Sequence, residues 1–158
     1  MDTRKSTYRD AGIDDPLAWD LDFVKQTYLD YGGDSLSETL EDVPDDLAEQ
    51  ILGVFRDLST KSEVTIYRVV EADSAESVRT DDMGESWSFE RDAAIEFGEE
   101  NVPGPRWIIT GKTKPDNIDW DHALCNYMEF GIAGRELELP VIDDSDKAIS
   151  VISIEPAN

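Results

Sequence analysis

Apolar residues recur at helical spacing in the first part of the chain and at strand spacing thereafter. Leu17, Leu21, Val24 and Tyr28 share one helical face, with Pro16 suited to a first turn and Gly32-Gly33 to an end. They predict an amphipathic helix. After a polar link over 34–43, Pro44-Asp45-Asp46 opens a second set, Leu47, Ile51, Val54, Phe55 and Leu58, with its acids near the helix N-terminus that favours them. From Glu63 the period shortens to two. Val64, Ile66 and Val70 alternate with Thr65, Tyr67 and Val69, which predicts a strand rich in β-branched residues. Further strands are predicted over 106–110, 136–142 and 148–154, divided by Gly- and Pro-bearing turns. Short helices are predicted over 90–97 and over 119–130, the latter with Trp120, Leu124 and Met128 at helical spacing.

Helices first and strands afterwards, without regular alternation, favour an α+β fold over a doubly wound sheet. At 158 residues and 39% hydrophobic content the chain can bury one core, so a single domain is expected. Its helical part would cover 16–58 and its strand-rich part 63–155. One cysteine, Cys125, and one histidine, His122, make neither an internal disulfide nor a zinc site, so no metal is expected. They lie three apart on one predicted helix, with His122 read as a surface residue and Cys125 as core. No stretch approaches the ~18 apolar residues of a membrane span, and Met1-Asp2-Thr3-Arg4-Lys5 leads into acidic sequence rather than an apolar leader. A cytoplasmic location follows as the expectation.

Charge narrows the choice of partners. With 37 acidic and 14 basic residues the net charge is -23, which argues against nucleic acid and anionic membranes, since phosphate contacts need Lys and Arg. Three readings of the acidity stand: general solubility, steering toward a basic partner, and mimicry of DNA by an array of carboxylates.

Three segments carry candidate chemistry. Arg68 shares a strand face with Val64, Ile66 and Val70, so it points where its neighbours are dry and needs an anionic partner. That partner is either a carboxylate in a structural ion pair or a phosphate, which the planar guanidinium donor fork suits. Ser86 and Ser88 flank Trp87 just before the predicted helix at 90–97. Ser88 reads as its cap, and Ser86, two residues earlier, is free to orient a polar group. Phe89 and Phe97 read as core. Glu136 and Glu138 alternate with Leu137 and Leu139, which puts both carboxylates on one strand face. They form either a solvated face or a pair of acids close enough to serve one substrate in two roles.

Taken in order, Tyr67-Arg68, the block from Gly84 to Phe97 and Glu136-Leu137-Glu138 resemble the arginine, serine, glutamate signature of mono-ADP-ribosyltransferases, especially bacterial and phage members. The resemblance covers Val64 to Leu139, and the middle block is its most specific part. It implies an ADP-ribosyltransferase-like split β-sheet core with N-terminal helices, NAD as the substrate, and a protein acceptor. By matching position, Arg68 would grip the NAD phosphates, Ser86 would position Glu138, and Ser88 would line the nicotinamide-ribose pocket. Phe97 would pack on the nicotinamide and the backbone of Val69 would meet its carboxamide. Glu138 would bind the ribose 2′-hydroxyl and stabilise positive charge as the bond to nicotinamide breaks. Glu136 would orient or deprotonate the acceptor, and the Glu-x-Glu form resembles the arginine-modifying members.

Elementary chemistry agrees with that division. Departure of neutral nicotinamide leaves an oxocarbenium-like ribose, which a fixed carboxylate stabilises more in the transition state than in the ground state. A guanidinium acceptor is a poor nucleophile until it loses a proton, which gives a second acid a task. The family often has glycine after the strand arginine, where this chain has Val69-Val70. An intracellular effector, phage-encoded and acting in host cytoplasm, fits the small size. The rival expectation is a noncatalytic acidic decoy that mimics DNA and occupies a basic nucleic-acid-binding protein.

Overall fold

The two-residue period that begins at Val64 becomes the central strand of an antiparallel sheet. The computed structural model describes residues 45–124 and 138–157, together with 16–18, 20, 22–23 and 26–27. Its five strands are β1 (Val64–Glu71), β2 (Ser86–Ser88), β3 (Arg106–Thr113), β4 (Glu138–Pro140) and β5 (Ile149–Pro156), in the order β4-β2-β1-β3-β5. With α1 (Asp45–Ser59) and α2 (Arg91–Asn101) they make an α+β fold.

The described residues fall into two compact units. One comprises the residues up to Thr60 with 119–124, the other Lys61–Ile118 with 138–157. Residues 120–124 are helical, and the helix expected over 119–130 thus begins in the first unit; 125–130 lie outside the described residues. Among the described residues no helix is long and apolar enough to cross a membrane.

In the first unit, α1 follows the acidic start expected of it. Leu52 and Phe55 are fully buried while Val54 is exposed. The Phe55 ring lies 5.7 Å from that of Trp120, tilted by 56°, an arrangement aromatic pairs favour. Residues 16–18 form a single 3₁₀ turn with Leu17 buried, and Arg56 Nε donates to the Leu17 carbonyl at 2.7 Å. Leu21, Val24 and Tyr28 lie outside the described residues. His122 is 7% exposed, against the surface position expected of it. Its neighbours Asp119 and Asp121 are buried as well, and its backbone N–H donates to Asp119 Oδ1, so polar partners accompany it inside. Cys125 lies outside the described residues.

In the second unit, β1 and β3 pair along their whole length, Val64 opposite Thr113 through Glu71 opposite Arg106. β3 and β5 pair with a bulge at Thr110/Gly111. Strand β4 pairs with β2 at all three positions, and Val141 beyond it bridges to Ile118. β2 and β1 share one residue pair only, Tyr67 opposite Ser88. Alternation puts Val64, Ile66, Trp87, Ile109, Leu139 and Ile149 on one face, and all six are buried. On the other, Val69 and Ile108 cluster with Ala94 of α2 and with Ala157, and Tyr67, Ile95 and Val102 pack against them.

The approach of α2 to β1 depends on a glycine. A Cβ at Gly98 would stand 2.5 Å from Val69 Cγ1, closer than two carbons can come. The Val69 side chain is therefore spent on the helix contact. Gly98→Ala should destabilise the fold by about 1–2 kcal/mol, the overpacking cost less the gain in helix propensity. In a Val69→Ala background the same change should cost less or reverse sign, which urea midpoints of the four proteins would measure as a coupling.

Candidate functional site

The single residue pair joining β1 to β2 leaves the next positions in register, Arg68 with Trp87 and Val69 with Ser86, unpaired. A backbone carbonyl freed from a ladder must find another donor. Arg68 supplies it: Nη1 donates to the Ser86 carbonyl at 2.5 Å. A cavity opens along this gap, lined by Arg68, Val69, Ser86 and Ser88 together with Phe97 of α2 and Glu138 of β4. It holds about 430 Å³ of empty space, counting the part open to solvent. Six of the seven residues expected at the site thus meet in one place. The seventh, Glu136, lies outside the described residues, so its position relative to the cavity is not part of this geometry.

Each lining residue is held by its own element. Register sets Glu138 directly opposite Ser88 and puts Ser86 opposite Pro140. Opposed side chains start roughly 5 Å apart at Cβ and diagonal ones about 7–8 Å apart, so Ser88 is the nearer serine to Glu138. Among the described residues the Ser86 hydroxyl makes no hydrogen bond to Glu138; the part of Ser86 engaged is its carbonyl. Ser88 is buried, and its hydroxyl donates to the Glu90 carbonyl at 3.0 Å and accepts the Glu90 N–H at 3.2 Å. It therefore braces the turn into α2 rather than capping the helix. The N-cap is Glu90, which makes no side-chain cap bond. Phe97, expected in the core, is 36% exposed and presents its ring at the cavity.

Arg68 is the electrostatic centre of the site. Burial pushes its guanidinium below the ordinary arginine range, and the charges of Asp144 and Glu138 oppose that shift. Among the described residues no carboxylate reaches ion-pair distance, and its Nε is buried without a hydrogen-bond partner. The structural ion pair weighed for Arg68 is thus not formed within the described residues. A planar cation with donor capacity to spare, beside an exposed aromatic and a carboxylate, can bind an anion at one end and a flat ring at the other.

Tyr67, Trp87 and Ala94 also line the cavity and were assigned no role from the sequence. Trp87 is 2% exposed and its indole N–H donates to the Gly84 carbonyl at 2.7 Å, which anchors the entry to β2. Its place between two serines was the available signal. Comparison with protein-family models, with curated proteins and with solved structures finds no match for this chain.

A half-buried cation without an ion pair among the described residues is a poor device for stability. The Arg68–Ser86 bond is open to solvent, so in Arg68→Met water can take the place of Nη1 on the carbonyl, and the urea midpoint should stay unchanged or rise. A loss above about 1 kcal/mol, typical of breaking a needed buried polar contact, would assign the guanidinium to holding β2 in place instead.

Proposed function

We propose that this protein transfers ADP-ribose from NAD to a protein acceptor, with an arginine side chain as the modified group, on an ADP-ribosyltransferase-like split sheet. The observation that carries the reading is the meeting of Arg68, Ser86, Ser88, Val69, Phe97 and Glu138 around one cavity, although they come from four separate elements. The parting of β1 from β2 after one residue pair supports the split-sheet comparison.

The residues fit the substrate they would hold. The nicotinamide-ribose end would enter the cavity, which is partly open to solvent, with the adenosine end lying outside. The spare Arg68 donors answer the diphosphate, and the Phe97 ring offers a face to nicotinamide. Val69 contributes backbone there, because its side chain is turned to Gly98. Ser88, facing Glu138 across the strands, takes the ribose side of the pocket.

In the reaction, the bond from ribose C1′ to the nicotinamide nitrogen breaks and its electron pair leaves with nicotinamide. A fixed Glu138 carboxylate beside C1′ stabilises the positive charge that develops. C1′ then bonds to a nitrogen of the acceptor guanidine, whose proton passes to Glu136. The net charge of -23 favours a basic acceptor surface, because it raises the encounter rate with cationic partners.

The same charge favours a second reading, a noncatalytic decoy for a DNA-binding protein. Incubating the pure protein with labelled NAD and a cell lysate separates the two. Glu138→Gln should lower label transfer by about 10²-fold or more, as loss of a transition-state contact does. Equal labelling by both proteins would remove Glu138 from the chemistry. No labelling by either, with salt-sensitive capture of a basic protein that survives Arg68→Ala and Glu138→Ala, would establish the decoy.

A further inference from the structure

The guanidinium of Arg68 rests on a glycine. A Cβ at Gly84 would stand 2.5 Å from Nη2, 2.7 Å from Cζ and 2.8 Å from Nε. Near-equal distances to three guanidinium atoms mean that the plane of the group lies over the Gly84 backbone. Gly84 also has φ +94°, a conformation side-chain-bearing residues rarely adopt. One residue thus meets two demands that only glycine can satisfy together.

That peptide is pinned on both sides. Its N–H donates to Asp144 Oδ2 at 2.9 Å, and its carbonyl accepts the Trp87 indole N–H at 2.7 Å. Asp144 is held in turn, its carbonyl accepting the Met83 N–H at 3.2 Å. Behind it, Asn117 donates to the Asp143 carbonyl and accepts the Asp143 N–H, and Ser145 closes on Asp143 Oδ1. A chain of contacts therefore runs from Asn117 through Asp143 and Asp144 to Gly84 and the guanidinium.

We infer that Asp144 is a positioning residue for Arg68, acting through the Gly84 peptide so that the guanidinium is set in place before an anionic ligand arrives. The ligand assigned here, a diphosphate, rests on the transferase reading; the positioning itself does not. Pre-setting matters because a free arginine side chain loses rotamer freedom when it is fixed, a cost that a pre-set side chain has met before binding. Asp144 does this without occupying the guanidinium edge, since its carboxylate is bonded to Gly84 and not to Arg68.

Two measurements test it. In ¹⁵N spectra of the full chain without ligand, the buried Arg68 Nε–H, assigned by its loss in Arg68→Lys, should exchange slowly with water. Asp144→Ala and Gly84→Ala should each return it to the fast exchange of surface arginines. Asp144→Asn, whose amide oxygen can still accept the Gly84 N–H, should keep the slow signal. Slow exchange surviving in either Asp144→Ala or Gly84→Ala would overturn the inference. The two variants disturb successive links, Asp144 to Gly84 and Gly84 to Arg68, so a folding defect in one leaves the other decisive.

With ADP-ribose as the calorimetric probe, Asp144→Ala and Gly84→Ala should weaken binding about tenfold or more, the scale of a charge-assisted hydrogen bond. The KM for NAD should rise with kcat little changed, while Asp144→Asn restores most of the affinity. Absence of ADP-ribose binding by the unaltered protein would defeat the transferase reading alone, and the exchange measurement would still decide the role of Asp144.

Discussion

Strand β2 is three residues long and bonded fully to only one neighbour, and the organisation of the cavity follows from how the other edge is satisfied. Had β1 and β2 continued their ladder past Tyr67 and Ser88, backbone groups would have paired and closed the gap. Instead the Ser86 carbonyl accepts a hydrogen bond from Arg68 Nη1. The side chain that fills the missing backbone bond is thereby drawn into the space that the missing bond opens. A cation is thus placed in the cavity by the need to satisfy a carbonyl, and retains further donors once it has done so. Neutral donors such as serine or asparagine could satisfy the carbonyl but would leave no charge behind.

Support for that arrangement comes from both faces of the sheet. On one, large apolar residues of β1, β2, β3, β4 and β5 exclude water, so short β2 and β4 are held by Trp87 and Leu139 more than by their few hydrogen bonds. On the other, Gly98 lets α2 close on Val69 and carries Phe97, the next residue back along the helix, to the cavity. Phe97 is exposed because the inward side of α2 is taken by Ala93, Ala94 and Gly98. Small residues against the strand and a large one at the rim are two consequences of one helix orientation.

Element types were legible in the sequence because they follow from local periodicity. Strands β1, β3 and β5 lie where β-branched residues are dense, and α2 starts within a residue of expectation. What escaped was set by contacts distant in sequence. The burial of Leu52 and exposure of Val54 on α1, and the burial of His122 beside two buried aspartates, are set by packing that periodicity does not weigh. The pairing of Glu138 with Ser88 instead of Ser86 is a matter of register, and three-residue strands carry too little pattern to specify it. Ser88 looked like a cap because a serine precedes the helix, yet the turn at Glu90 absorbs its hydroxyl first. Gly84 and Asp144 stand 60 positions apart, and no local rule joins them.

An acidic molecule built around one half-buried cation treats small and large partners differently. At physiological salt, charges are screened within about 8 Å, so the net charge would do little to an anionic ligand held beside Arg68. Toward an extended basic surface the net charge of -23 would steer and orient. The two effects operate at different ranges, so binding an anion and attracting a cationic protein are compatible. The cost falls on Arg68, whose burial opposes its charge while the nearby carboxylates of Asp144 and Glu138 sustain it. Those two acids offset part of the desolvation of the guanidinium without forming an ion pair with it within the described residues, and that separation leaves its edge open to an anion.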